Sequence, residues 1–167
     1  GGWRTKMSRV EMQRTIRRSV SYRGTGLHTG AEVVLTFVPA PAGHGLRFVR
    51  TDLPGSPEIP VRPENARTDT RSLRRSVLAA GKAEVHTVEH VLAAVGGMGI
   101  DNLRIELSGL EAPEPPDGSC RAFAGLLRDA GSEEQLLRRE SLFLREPVSL
   151  QEDGVQLLAV PHDGLRL

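Results

Sequence analysis

The 167-residue chain predicts an α+β fold: a sheet with two helices, followed by the opening strands of a second unit. Three observations predict it. Short runs rich in Val, Thr and Ile are punctuated by Gly and Pro in the manner of strands and turns. Two segments carry apolar residues at helical spacing and end at glycines, and a strictly alternating run lies between them.

Taken in order, residues 14–22 and 32–38 read as two strands of a hairpin or meander, joined by the Gly-rich turn Gly24-Thr25-Gly26-Leu27-His28-Thr29-Gly30. Pro39, Pro41 and Gly43 close the second strand, residues 46–50 make a short third, and residues 54–63 read as loop from their prolines. A further short pair is expected at 76–79 and 83–86 around Gly81. Residues 87–95 then read as a helix with Gly96-Gly97 supplying a left-handed end. Leu103, Ile105 and Leu107 alternate against Asn102, Arg104 and Glu106, which makes 101–107 a half-buried strand. Beyond the prolines at 113–116, Asp117 or Ser119 can cap a second helix that carries Phe123, Leu126 and Leu127 on one side and stops at Gly131. Residues 132–141 are polar and read as a linker. Strands at 142–150 and 155–160 follow, with Asp153-Gly154 as their turn.

Composition narrows the function. Charged residues at 26% and apolar ones at 38% describe a globular chain, and a net charge of +1 gives no global attraction to nucleic acid. The first 24 residues hold seven Lys or Arg against one acid, Glu11, but few aromatics accompany them to stack on bases, so residues 1–13 read as a solvated basic extension. The single cysteine, Cys120, excludes an internal disulfide and a Cys-rich zinc cluster; it reads as a small buried residue in a reducing, cytoplasmic setting. No apolar run approaches the ~18 residues of a membrane span, so any contact with lipid is peripheral. The start at Gly1-Gly2-Trp3 and the strand-like ending Leu165-Arg166-Leu167 suggest a portion of a longer protein.

The chemistry concentrates at His86-Thr87-Val88-Glu89-His90. On a continuous helix, His86, Glu89 and His90 would share one face, opposite Val88, Val91, Leu92 and Val95. Two imidazoles and a carboxylate are groups that bind Zn²⁺ and handle the protons of a nucleophilic water. A solvated polar face is the bland alternative for so short a string.

Three other motifs decide between them. Gly-Thr-Gly-Leu-His-Thr-Gly at 24–30, Thr-Val-Glu-His at 87–90, Gly-Ile-Asp-Asn at 99–102 and Glu-Pro-Pro-Asp-Gly-Ser at 114–119 occur in an order that resembles the N-terminal half of the bacterial UDP-3-O-acyl-N-acetylglucosamine deacetylases. The resemblance spans roughly residues 14–160. It implies two similar two-layer sheet-and-helix domains around one site, here residues 14–131 and the start of a second domain at 142–167. It implies a cytoplasmic zinc amidase of lipid A synthesis that releases acetate from an acylated UDP-amino-sugar. On that resemblance His90 matches a zinc ligand and Glu89 the general base. The remaining ligands, a His and an Asp, together with the group that protonates the leaving amine, would come from the second domain.

Two positions depart from the family pattern. His86 stands where the family usually has a small residue such as Ser, so it reads as a neighbour of the site and not as a ligand. Glu114-Pro115-Pro116 stands where the family is commonly apolar. His28, within the Gly-rich turn, is expected near the substrate, whereas Asp117 is most simply a helix cap. Two rival readings stay open: an HxxEH metallopeptidase with both His86 and His90 on zinc, and a half-length homologue without catalysis.

Overall fold

A computed structural model of the chain describes residues 11–67, 75–140 and 142–162. The expected basic extension lies mostly outside these residues, as does the Leu165-Arg166-Leu167 ending. The elements begin with strands β1 (Met12–Ile16), β2 (Val20–Gly26), β3 (Glu32–Pro39), β4 (Leu46–Arg50) and β5 (Glu58–Pro60). A short pair follows, β6 (Val77–Ala80) and β7 (Ala83–His86), leading into helix α1 (Glu89–Gly97). Strands β8 (Leu103–Leu107) and β9 (Pro113–Glu114) precede helix α2 (Arg121–Ala130). The last strands are β10 (Ser132–Arg138), β11 (Val148–Glu152) and β12 (Val155–Ala159).

Six strands form the central sheet in the order β5-β4-β8-β3-β2-β9, with β4 and β8 parallel and every other neighbour antiparallel. The alternation read at 101–107 places β8 at its centre. Ile105 pairs with Phe37 on one side and Phe48 on the other, and all three are fully buried. This row continues into an apolar cluster with Val91, Ala94 and Val95 of α1 and Phe123 and Leu127 of α2, so both helices cover one face. Phe123 meets Tyr22 edge-on at 5.2 Å and Phe37 at 6.2 Å. The intervening residues of β8 point the other way, where Arg104 bonds Glu106 and Glu58, and Glu58 also bonds Arg47. These pairs are half-exposed and contribute little to stability, but they mark the sheet's other face as polar. The architecture is the two-layer α+β arrangement that the sequence predicts.

Several boundaries differ from the expectation, each for a local reason. Strand 14–22 is broken at Arg17-Arg18-Ser19 into β1 and β2, which join different sheets. The loop expected at 54–63 contains β5, whose Pro60 is tolerated because β5 is an edge strand. Helix α1 starts at Glu89, because Thr87 has φ +56°, and the left-handed residue beyond its end is Gly99 at φ +65° in place of Gly96-Gly97. Cys120 is half-buried, packed against the core at the start of α2. Asp117 shapes the turn ahead of α2 in place of capping it: the N-cap position is Cys120, without a side-chain cap bond, while the Asp117 carboxylate takes the Ser119 N–H and hydroxyl and Ser119 Oγ accepts the Arg121 N–H.

The stretch read as a linker is the largest correction. Residues 132–138 form β10, antiparallel to β1, with Ile16 opposite Ser132 and Arg14 opposite Glu134. Its side chains are mostly exposed and polar, so no alternation announces it, and backbone pairing with β1 holds it instead. The Gly-Ile-Asp-Asn motif secures the same pair. Asp101 accepts the Arg14 N–H at 2.8 Å and the Arg139 guanidinium at 2.7 Å. Asn102 accepts from Gly45 N and donates to both Gln13 and Gln135.

The β11–β12 hairpin turns at Asp153-Gly154, both with positive φ, as expected for a two-residue turn. Val148, Leu150, Val155, Leu157 and Leu158 are all more than half exposed.

The aromatic contact between helix and sheet gives the first prediction. Phe123→Ala should lower the unfolding free energy by about 3–5 kcal/mol, the cost of emptying a large buried aromatic site. Urea denaturation checks it, and a loss below about 1 kcal/mol would mean that α2 is not fixed through this ring.

Candidate active site

The site is assembled where β7 stops and α1 starts. His86 ends β7, and its backbone pairs with the 110–112 segment through His86 N to Leu110 O and Ala112 N to His86 O, both 3.0 Å. Thr87 then turns the chain through a left-handed conformation that is rare for a β-branched residue and costs about 1–3 kcal/mol. Two bonds hold it there: its N–H donates to Ser76 O at 2.9 Å, and its hydroxyl donates to Glu111 Oε1 at 2.7 Å. Val88 is buried behind the turn, and Glu89 and His90 open the helix on its outer side.

Glu111, which the sequence reading did not single out, is the organiser. It is 2% exposed, and besides Thr87 it accepts the backbone N–H of His28 and both the N–H and hydroxyl of Thr29. One carboxylate therefore ties the Gly-rich turn to the residues just before Glu89. Burial pushes its pKa up, but the hydrogen bonds from Thr87, Thr29 and His28 outweigh that and hold it below the usual glutamate range. Gly26 is required for this closure: a Cβ there would stand 2.5 Å from Glu111 Oε2 and closer still to Thr29 Oγ1.

Glu89 uses one oxygen to accept the Ser76 N–H, while Oε2 is buried with no hydrogen-bond partner among the described residues. His90 is one-third exposed, with Nδ1 3.1 Å from Glu114 Oε2 and no hydrogen bond at Nε2 among the described residues. His28 has an exposed side chain on the anchored turn. His86 is buried at 8% exposure, with Nε2 3.1 Å from Glu84 Oε2 and no hydrogen-bond partner at Nδ1 among the described residues. Because it sits on β7 and not one turn back on α1, His86 does not form the helical His pair of an HxxEH metallopeptidase, and that rival reading loses its geometry.

No group of three His, Cys, Asp or Glu side chains suited to a metal occurs among the described residues. A catalytic Zn²⁺ takes three protein ligands plus water. Glu89 Oε2 and the Nε2 edge of His90, neither with a hydrogen-bond partner among the described residues, fit part of such a site: one ligand and one proton acceptor beside it.

The family model of the UDP-3-O-acyl N-acetylglycosamine deacetylases, LpxC, matches residues 13–167. The chain belongs to this family. A UDP-3-O-acyl-N-acetylglucosamine deacetylase of Myxococcus xanthus is 46% identical over 93% of the chain, and one of Bdellovibrio bacteriovorus is 39% identical over 93%. A bifunctional LpxC/FabZ enzyme of Chlorobaculum tepidum is 45% identical over a similar share. The chain spans 48%, 50% and 33% of these three relatives respectively, half their length or less. No helix among the described residues is long and apolar enough to cross a membrane. Three of the four family-like motifs meet at the site: the Gly-rich turn, Thr-Val-Glu-His, and β9 just ahead of the Asp-Gly-Ser turn, which pairs with β2 through Thr25 and Glu114. The fourth, Gly-Ile-Asp-Asn, serves the β1–β10 clasp instead.

The depressed pKa of Glu111 makes a pH prediction. Its stabilisation is complete above the ordinary carboxylate pKa and is lost as pH falls through the lower folded value. Glu111→Gln should cost about 1–3 kcal/mol at neutral pH, since an amide sets N–H groups against the donors of Thr29 and Thr87. That gap should shrink in acid. Unfolding curves at neutral and acid pH check it, and an equal gap at both would deny the charge its role.

Proposed function

We propose that the protein carrying this chain is a cytoplasmic zinc-dependent deacetylase, acting on the 2-acetamido group of a UDP-3-O-acyl-N-acetylglucosamine in lipid A biosynthesis. The observation that carries this reading is the buried Glu89 Oε2 beside the His90 Nε2, neither with a hydrogen-bond partner among the described residues, in a chain of the deacetylase family.

His90 would hold the metal through Nε2, and bound Zn²⁺ would supply polarisation of the amide carbonyl and acidification of the attacking water. Glu89 does the proton work. Ser76 N–H pins one carboxylate oxygen, which aims the other at the water and leaves it free to accept a proton. Addition of water to the amide carbon and cleavage of the C–N bond yield acetate and the free amine of the sugar. His28, exposed on the Glu111-anchored turn, would face the substrate, and His86 would form part of the wall beneath it.

The same reading divides the chain. Residues 14–131 form the first domain, extended by β10 through its pairing with β1, and residues 142–167 open a second. The exposed apolar residues of β11 and β12 suit a strand pair that packs against further chain of that domain. Any contact with a membrane would be peripheral.

At full length, Glu89→Gln should retain zinc while kcat falls by roughly 10²-fold or more, the scale of general base catalysis. His90→Ala should lose both metal and turnover, whereas His86→Ser should keep metal and some activity. Elemental analysis with acetate-release kinetics separates these cases: unchanged turnover in Glu89→Gln removes Glu89 from the mechanism, and metal loss in His86→Ser equal to that in His90→Ala makes His86 a ligand.

Residues 1–167 alone should bind zinc weakly and release no measurable acetate, because the described residues bring no three metal-ligating side chains together where about three protein ligands are needed. The open apolar strands should make this piece self-associate. Stoichiometric zinc and turnover in a monodisperse monomer would overturn the division of the site between two domains.

A further inference from the structure

Glu114 lies in the short proline-rich segment ahead of the Asp-Gly-Ser turn, and the fold delivers it to the back of His90. Strand β9 hydrogen-bonds along the edge of β2, with Thr25 opposite Glu114 and Gly26 opposite Pro113. That approach depends on the glycines of the turn, since a Cβ on Gly24 would stand 3.0 Å from the Pro113 Cβ. With its backbone fixed by the sheet edge and its side chain only 16% exposed, Glu114 places Oε2 3.1 Å from His90 Nδ1.

A neutral imidazole has one N–H and one lone pair, and its hydrogen-bond partner selects which nitrogen carries the proton. A carboxylate opposite Nδ1 can only accept. The alternative tautomer would set the Nδ1 lone pair against a carboxylate oxygen. The contact therefore favours Nδ1–H and leaves the Nε2 lone pair bare on the free edge of the ring. It also fixes the rotation of the ring about its Cβ–Cγ bond.

We infer that Glu114 is a positioning residue, which holds His90 as the Nδ1–H tautomer with Nε2 presented to a divalent metal. The inference rests on the reading of His90 as a ligand only for its consequence; the tautomer itself is a property of the metal-free protein. Outer carboxylates of this kind orient ligating histidines and typically contribute 10–100-fold to metal affinity.

The test uses the full-length protein labelled with ¹⁵N-histidine, metal-free and about two pH units above the ordinary histidine pKa, with His90 assigned by its loss in His90→Ala. The His90 resonances should report a protonated Nδ1 and a bare Nε2 in the wild type, and Glu114→Ala should shift the population toward Nε2–H. Zinc affinity, measured by competition with a chromophoric chelator, should fall about 10–100-fold in Glu114→Ala. Glu114→Gln should recover most of it, because the amide oxygen still accepts from Nδ1–H. A wild-type His90 protonated at Nε2 overturns the inference whether or not any variant folds. So does a folded Glu114→Ala protein with unchanged tautomer and unchanged zinc affinity. Undiminished zinc in His90→Ala would instead overturn the metal reading and leave the tautomer result standing.

Discussion

The buried carboxylate of Glu111 is the constraint around which the site is arranged. A charge removed from water must be matched by donors, and here the donors come from two segments far apart in sequence: His28 and Thr29 on one side, Thr87 on the other. Satisfying Glu111 therefore fixes the distance between the Gly-rich turn and the strand-to-helix step. It also offsets the cost of the left-handed Thr87, whose unusual backbone swings Glu89 and His90 to the outer side of α1. Neither Glu89 nor His90 needs to touch Glu111 to depend on it.

Much of the fold was legible because the relevant residues obey simple periods. Leu103, Ile105 and Leu107 alternate, and they form the centre of the sheet. Asp153-Gly154 is a two-residue turn, and it is one in the structure. What was not legible is held by backbone and by single polar anchors. Strand β10 has Glu133, Glu134 and Arg138 on its surface and Leu136 fully exposed, so its order comes from β1 and from Asn102 and Asp101. A polar sequence with such support is indistinguishable from a linker until its partner is known.

The candidate site residues were legible as residue types, and their geometry was not. Glu89 and His90 stand out as residue types, yet the continuous helical face on which His86 would join them does not exist, because periodicity carries no sign of a β-branched residue at positive φ. Glu111 was overlooked because a lone glutamate before a proline-rich turn looks like surface. The cue lay in its neighbourhood: two threonines flanked by motif residues, each able to donate to one buried acceptor. Glu114 carries no periodic or motif signal of its own, and only the pairing of β9 with β2 brings it to His90.

Strand β8 carries a consequence for how the molecule comes together in time. It lies between β3 and β4, which precede it by more than fifty residues, so these two earlier strands have no common neighbour until β8 inserts between them. Its parallel pairing with β4 also requires a long crossover that contains β5, β6, β7 and α1. Such non-local closure places the chain among slow folders, on the millisecond-to-second scale. Glu111 follows four residues after β8 ends, so the carboxylate that gathers the site arrives only with the strand that completes the sheet. The arrangement of Glu89 and His90 then forms with the closure of the sheet, so this part of the candidate site is gathered in one step rather than by degrees.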